Sequence, residues 1–142
     1  MKFFIASPWR NKDAVQKLTD ALTARGHAAY SFLVSGANLA TGMSVMEEFK
    51  QFSHSMENWE DDASIERIFV SEMQALKDSD ALILLEPAGR SSLTEAGIAY
   101  GMGKRVALIG LVEHPEIVYR ICGSRYPNIQ GFLGDPDGLA AR

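Results

Sequence analysis

The hydrophobic positions of the chain fall into short continuous runs that are separated by longer amphipathic stretches. Continuous apolar runs occur at 3–6, 81–85 and 106–109, which is typical of parallel strands that are buried on both faces, and the first strand is predicted over 2–6. The segment 27–32 predicts one more strand. Strands that alternate with helical segments predict an α/β fold: a three-layer flavodoxin-like or Rossmann-like parallel sheet of about five strands, with helices on both faces.

The stretches between the strands carry apolar residues at helical spacing. In the segment 12–25 apolar positions recur every three or four residues, with Asn11 placed to cap the helix and Gly26 placed to end it. Asp62 likewise precedes an amphipathic segment over 63–77. The predicted apolar face of this second helix consists of Ile65, Ile68, Phe69, Met73 and Leu76.

The fold is expected to be organised around a strand–loop–helix–strand unit over 79–110. After its first strand, Pro87 and Gly89 interrupt the apolar pattern, and the following helix ends near Gly103. The helix is rich in alanine and glycine, which we expect to let it approach the sheet closely. In parallel sheets the loop after such a strand lies at the carboxyl edge, where α/β proteins bind ligands.

Two glutamates near this loop have a structural and a chemical interpretation. The residues 92–95 match a capping box, in which the Glu95 carboxylate would only accept the N–H of Ser92. The position of the loop, with Arg90 and the free N–H groups of the helix start, favours instead an anion site suited to a phosphate. Glu72 lies on the apolar stripe of the preceding helix, where a carboxylate must be paired or must reach solvent.

Composition excludes several classes of function. Cys122 is the only cysteine among the 142 residues, so neither an intramolecular disulfide nor a Cys-rich metal site is possible. A net charge of -4 argues against binding of nucleic acid polymers through their phosphates. The sequence has neither a signal peptide nor a membrane-spanning apolar run, so we expect a cytoplasmic protein with no membrane partner. We also expect no cofactor and no bound metal.

We expect residues 1–142 to form a single domain. The stretch 33–60 is predicted to be an excursion, part loop and part helix, which forms a lid, a substrate wall or a packing contact. Residues 133–142 are predicted to form a mobile tail. The excursion also contains apolar side chains that would supply a surface for dimerisation, namely Met43, Met46, Phe49, Phe52 and Trp59.

Short motifs follow the predicted strands in a defined order. The first strand ends in Ser7-Pro8-Trp9, and the strand over 80–85 is followed by Gly89-Arg90-Ser91-Ser92, then Glu95-Ala96-Gly97 and Gly103-Lys104. Together with an acidic residue on the preceding helix, these motifs resemble the nucleoside 2-deoxyribosyltransferase family and the related deoxynucleoside 5'-monophosphate N-glycosidases. The resemblance covers roughly residues 1–110 and is weakest over 33–60.

The resemblance implies a chemistry for the two glutamates. Glu95 would be the nucleophile that attacks the anomeric carbon of a (deoxy)ribosyl group on the face opposite the base, as in retaining glycosidases. Glu72 would position or protonate the reacting groups. The base or sugar pocket would be lined by Ser7, Pro8 and Trp9, where Trp9 takes the place of a tyrosine that the family carries near the first strand.

The loop before the helix departs from the transferases in a way that favours a phosphorylated substrate. Where the transferases often carry an aspartate, this chain has Gly89, followed by Arg90. The loss of an acid and the gain of a cation suit a nucleoside 5'-monophosphate. Ser91 and Ser92 would then be ligands of the phosphate or of the sugar hydroxyls.

The expected partner is a small-molecule nucleoside or nucleotide, and the family resemblance implies a homodimer or a higher homo-oligomer. The loop over 87–95 is also similar to that of nucleotide phosphoribohydrolases, which cleave the same kind of bond. Hydrolysis and base transfer are not distinguished. The alternative function is a non-catalytic nucleotide-binding or signalling module, in which Glu95 is only a cap. Flavin binding is disfavoured because the turn over 7–10 does not look like a phosphate loop.

Overall fold

The computed structural model of the protein describes residues 1–36 and 56–135. Within these ranges five strands form one parallel sheet in the order β2-β1-β3-β4-β5. This is the flavodoxin-like order of doubly wound sheets, and the predicted α/β fold class is confirmed. The strands are β1 (Lys2–Ala6), β2 (Ala28–Tyr30), β3 (Ala81–Leu85), β4 (Arg105–Ile109) and β5 (Ser124–Tyr126).

Helices cover both faces of the sheet. The α-helices of the described ranges are α1 (Lys12–Thr23), α2 (Ala63–Asp78), α3 (Arg90–Gly101) and α4 (Ile129–Leu133). Shorter 3-10 turns occur at Trp9–Asn11, Met56–Asn58 and Ile117–Ile121, and a π-helical turn occurs at Phe32–Gly36. None of the helices in the described part of the chain is long and apolar enough to cross a membrane.

The position of β3 in the middle of the sheet explains why its sequence is continuously apolar. All five of its residues are buried, because side chains that point to opposite faces of the sheet meet a separate core on each side. On one face Ile83 packs in a core with Leu18 of α1 and Phe132 of α4. On the other face Leu82 packs in a core with Leu76 of α2. Ala96 and Ala99 of α3 complete the second core.

Helix α2 begins where the sequence predicts, because the Asp62 carboxylate accepts the N–H groups of Ser64 at 2.7 Å and Ile65 at 3.4 Å. The prediction that Phe69 belongs to its core face is wrong, since 54% of Phe69 is exposed. A 16-residue helix is roughly 24 Å long, whereas a five-residue strand is roughly 17 Å. The helix is therefore longer than the strand by roughly 7 Å, about five residues at its start.

Two predicted features of helix ends are wrong. Asn11 precedes α1 but makes no capping bond with its side chain, because its amide is used elsewhere, as described below. Helix α3 begins at Arg90 with Gly89 as N-cap, so residues 92–95 lie inside the helix and cannot form the capping box. The prediction that small residues let α3 approach the sheet is confirmed for Ala96 and Ala99, which are buried in the second core. A Cβ added at Gly97 or Gly101 would meet nothing within 4 Å, so these glycines do not make that contact.

The predictions for the excursion and the tail are tested only in part. Residues 37–55 of the predicted excursion lie outside the described residues, and with them Met43, Met46, Phe49 and Phe52. Trp59 is described and is 57% exposed. Of the predicted tail, residues 136–142 lie outside the described residues, whereas Leu133 is buried in α4. The helix α4 was not predicted.

Candidate active site

A cavity of about 440 Å³ lies at the carboxyl edge of β1 and β3, between α2 and α3. The chain leaves β1 toward β2 on one side and leaves β3 toward β4 on the other. The two loops therefore diverge, and this switch point is where doubly wound sheets form a ligand crevice. All of the residues that the sequence singles out line this cavity: Ser7, Pro8, Trp9, Glu72, Gly89, Arg90, Ser91, Ser92 and Glu95.

The turn after β1 is tied to the end of β3 by two hydrogen bonds, and a third joins Asn11 to Ser7 within the turn. The Ser7 hydroxyl donates to the carbonyl of Leu85 at 2.9 Å. The Asn11 amide donates to Ser7 Oγ at 2.9 Å and to the carbonyl of Glu86 at 3.0 Å. This network explains why Asn11 does not cap α1. Because its proton is already donated to Leu85, the Ser7 hydroxyl faces the cavity as an acceptor.

The loop between β3 and α3 is held by Glu86 at the base of the site. The Glu86 carboxylate accepts the N–H of Ala88 at 2.6 Å. Gly110, at the end of β4, has φ +109°, and a Cβ there would lie 2.8 Å from Glu86 Cβ. The loop can take this course only because Gly110 has no side chain.

The positive end of α3 opens onto the cavity. Its first intrahelical bond runs from the N–H of Leu93 to the carbonyl of Gly89 at 3.0 Å, so the N–H groups before Leu93 have no partner further back in the helix. Arg90 and Ser91 are exposed at this end, whereas Ser92 is buried. A helix N-terminus with an arginine beside it attracts anions.

Glu72 on α2 and Glu95 on α3 reach the same cavity from two helices. Burial raises the pKa of Glu95 to about 8, and the negative charge of Glu72 contributes to that rise. Burial also raises the pKa of Glu72 to about 7. Two carboxylates in one poorly solvated site do not ionise independently. Near neutral pH the pair therefore holds about one proton.

Tyr30 of β2 lies beside the carboxylate pair and was not predicted. Its ring packs on Phe4 with 5.4 Å between the ring centroids. Burial raises the pKa of the Tyr30 phenol, and the charges of Glu72 and Glu95 raise it further, whereas the nearby Ser71 hydroxyl lowers it. The phenol therefore stays protonated near neutral pH.

Six further residues of the cavity wall were missed by sequence reasoning. Ser31 to Leu33 directly follow β2, so the rule that ligands bind at the carboxyl edge would have found them. Ile68 lies one helical turn before Glu72 and shares its face. The full set is Phe4, Ile5, Ser31, Phe32, Leu33 and Ile68. These side chains make much of the wall apolar, and Phe4 and Phe32 add two aromatic rings to that of Trp9.

The described ranges 1–36 and 56–135 contain no group of three or more His, Cys, Asp or Glu residues placed to hold a metal ion.

The Lys104 ammonium does not line the cavity. It donates to the carbonyls of Lys77 and Ser79, and so it satisfies the carboxyl end of α2. The lysine of the Gly103-Lys104 motif therefore connects α2 to the end of the α3 segment.

Comparison with known proteins gives matches in structure alone. No protein-family model matches the chain, and no curated protein matches it by sequence. A 2-deoxyribosyltransferase from Bacillus psychrosaccharolyticus is similar with a TM-score of 0.60 and 16% identity, over 92% of this chain and 88% of that one. A CMP N-glycosidase from Clostridium botulinum is similar with a TM-score of 0.52 and 15% identity, over 96% and 99%. The chain shares the fold of both proteins, which are of the kinds that its motifs resemble.

Proposed function

We propose that the protein cleaves or transfers the N-glycosidic bond of a nucleoside or a nucleoside 5'-monophosphate, with Glu95 as the nucleophile. The observation that carries this proposal is the meeting of Glu95 and Glu72 in one cavity at the switch point of the sheet. Trp9 and Arg90 line the same cavity. The fold shared with a 2-deoxyribosyltransferase and a CMP N-glycosidase supports the same reaction class.

In the first step the ionised Glu95 carboxylate attacks the anomeric carbon from the face opposite the base. A bond forms between the carbon and a carboxylate oxygen, while the bond to the base nitrogen breaks and its electron pair goes to the base. Protonated Glu72 supplies a proton to the leaving base. The positive charge that develops on the sugar is stabilised by the carboxylate inside a poorly solvated site.

In the second step water or an acceptor base attacks the same carbon. The ester bond to Glu95 breaks, its electron pair returns to the carboxylate, and the proton of the acceptor passes to Glu72. The raised pKa values of both glutamates support a pair that shares protons near neutral pH. The first step uses the arrangement in which Glu72 carries the proton and Glu95 is ionised. Hydrolysis and transfer differ only in the acceptor.

The walls of the cavity suit the other parts of a nucleotide. The rings of Trp9 and Phe32 offer faces against which a base can stack. Arg90 and the start of α3 would bind a 5'-phosphate, since an arginine and free N–H groups are complementary to its charge. Gly89 leaves room beside them, and the hydroxyls of Ser91 and Ser92 would bind the phosphate or the sugar.

The alternative, a non-catalytic nucleotide-binding or signalling module, requires Glu95 to be a structural cap. The start of α3 at Arg90 removes that role, and the place of Glu95 in the wall of the cavity supports the enzyme. A module would bind nucleotides without releasing base, and Glu95→Ala would leave that binding intact.

The test is base release from a panel of nucleosides and 5'-monophosphates, with and without a free acceptor base. We expect Glu95→Ala to abolish release, and Arg90→Ala to raise KM for monophosphates more than for nucleosides. Arg67→Ala is the matched control, because Arg67 is an exposed arginine of α2 that does not line this cavity. Failure of every panel member to release base would exclude the proposed reaction. Equal effects of Arg90→Ala on both substrate classes would exclude the phosphate assignment.

A further inference from the structure

The N-cap of α3 is a glycine that neither the backbone nor the packing requires. Gly89 has an extended backbone, with φ −117° and ψ −179°, which any residue adopts. A Cβ added there would lie 3.5 Å from Pro8 Cβ, which is an ordinary contact. A Ser, Thr, Asp or Asn could therefore occupy this position and accept the N–H of Ser91 or Ser92, as N-cap residues commonly do. Because Gly89 has no such side chain, these N–H groups stay uncapped.

Glu86 fixes the chain just before this uncapped turn. Its N–H donates to the carbonyl of Ile109 on β4 at 2.8 Å, and its carbonyl accepts the Asn11 amide at 3.0 Å. Its carboxylate accepts the N–H of Ala88 at 2.6 Å. Glu86 is thus held by β4 and by the turn after β1, and it holds the residue that precedes the N-cap. The course of the chain into α3 is therefore set from outside the helix, without using any N–H group of its first turn.

The first turn of α3 also carries a nearly buried hydroxyl group. Ser92 is 2% exposed and lines the cavity, and within the described ranges its side chain makes no hydrogen bond. Such a hydroxyl has lost most of its hydration, so a ligand oxygen that bonds to it is favoured. Ser92 lies one helical turn before Glu95 and therefore on the same side of α3. The hydroxyl and the uncapped N–H groups together indicate a ligand with acceptor oxygens at the start of α3.

We propose that Glu86 is a positioning residue and Gly89 a specificity-determining residue, which together hold the start of α3 open for the 5'-phosphate of the substrate. Glu86 does not line the cavity and acts through Ala88. Its negative charge opposes a bound phosphate, so its contribution comes from the hydrogen bond and not from the charge. This inference rests on the proposed function, and it names the residues by which the site distinguishes nucleoside 5'-monophosphates from nucleosides.

The first test measures equilibrium binding of the common nucleoside 5'-monophosphates, each paired with its own nucleoside. Glu86→Ala should weaken binding of monophosphates by roughly 10-fold or more and binding of nucleosides by less than about 3-fold, because only the phosphate contacts are misplaced. Glu86→Gln should bind monophosphates at least as tightly as the wild type, since its amide oxygen still accepts the N–H of Ala88 and the charge is gone. Asn128→Ala is the matched control. It also removes an acceptor of a backbone N–H, that of Gly131 at 2.9 Å, but at the start of α4 and outside the cavity wall, and it should leave both kinds of binding unchanged.

The second test places a cap on α3. Gly89→Ser introduces a hydroxyl that accepts an N–H group of the first turn. It should therefore bind monophosphates more weakly than Gly89→Ala does, by roughly 5-fold or more, because phosphate and hydroxyl compete for the same N–H groups. The alanine variant adds the same Cβ without an acceptor, so the comparison removes steric effects. Binding of nucleosides should differ between the two variants by less than about 2-fold.

The third test, amide hydrogen exchange of Ala88 followed by NMR, needs no substrate. Exchange should be faster in Glu86→Ala than in the wild type by roughly 10-fold or more and should stay slow in Glu86→Gln. The proposal would be overturned by unchanged exchange in Glu86→Ala, by equal losses for monophosphates and nucleosides, by weakened monophosphate binding in Glu86→Gln, or by equal binding to the Gly89→Ser and Gly89→Ala variants. A wild-type protein that binds no monophosphate would overturn it as well. If the wild type binds monophosphates but releases no base, the proposed reaction fails, and the same measurements still decide the roles of Glu86 and Gly89.

Discussion

Replacing Glu95 with glutamine should stabilise the protein at alkaline pH while removing its activity. Burial and the charge of Glu72 raise the pKa of Glu95 from 4.5 to about 8. A carboxyl group whose pKa is higher in the folded state than in the unfolded state stabilises the fold when it is protonated. That stabilisation is present below pH 4.5 and is lost as the pH rises toward 8.

The size of the effect follows from the pKa of Glu95. At about 1.4 kcal/mol for each pKa unit, the rise of about 3.5 pKa units, from 4.5 to about 8, means that ionising Glu95 in the folded state costs about 5 kcal/mol. The side-chain amide that the Glu95→Gln variant carries instead never ionises. We therefore expect the free energy of unfolding of this variant, relative to that of the wild type, to rise by roughly 2–4 kcal/mol between pH 5 and pH 9.

Urea unfolding at pH 5 and pH 9 measures this difference, provided that the transition is two-state at both values. Glu66→Gln is the control, because Glu66 is an exposed glutamate of α2 and its replacement also removes one negative charge. We expect the control to change the free energy of unfolding by no more than about 0.5 kcal/mol at either pH. If wild type and Glu95→Gln lose stability in parallel between the two pH values, Glu95 does not ionise within a buried pair.

Three further predictions concern the same region. In Glu72→Gln the residual kcat/KM should rise at a lower pH than it does in the wild type, because the charge of Glu72 that helps to raise the pKa of Glu95 is gone. An unchanged pH profile of kcat/KM would contradict the coupling of the two carboxylates. Gly110→Ala should lower stability by roughly 1–3 kcal/mol, since its Cβ would meet Glu86 and its φ is positive. Gly97→Ala, with nothing within 4 Å of the added Cβ, should raise stability by roughly 0.5–1 kcal/mol. Thermal unfolding should therefore show a lower Tm for Gly110→Ala and a higher Tm for Gly97→Ala than for the wild type. Asn11→Ala should lower stability by roughly 1–3 kcal/mol by breaking its bonds to Ser7 and Glu86. Gln16→Ala, which breaks an exposed bond to Asp20 on the same helix, should change little in the same urea titration.

The strands and the edge of the site could be predicted from local sequence. The run over 81–85 is apolar throughout because both faces of β3 are buried, and a strand in the middle of a parallel sheet leaves no position for a polar residue. The rule that ligands bind at the carboxyl edge then placed Ser7, Arg90 and Glu95 together. These inferences succeeded because each depends only on neighbouring residues and on the topology that they imply.

The errors concern side chains whose role depends on distant parts of the chain. Asn11 looks like a helix cap, but its partner Glu86 lies 75 residues away, and no local pattern signals that bond. Residues 92–95 match a capping box, yet the helix begins earlier, at Arg90. Phe69 has core-like spacing, but it packs in neither of the two cores and is exposed. Likewise, the high pKa of Glu95 depends on packing that brings it close to Glu72.

The division of α2 between the core and the cavity has a consequence for how this protein can change during evolution. Leu76 anchors α2 in a core of the sheet, whereas Ile68 belongs to neither core and lines the cavity. Substitutions at Ile68 can therefore reshape the cavity at little cost to folding, because they do not disturb the two cores. Substrate preference is free to diverge among descendants of this chain while the scaffold stays the same.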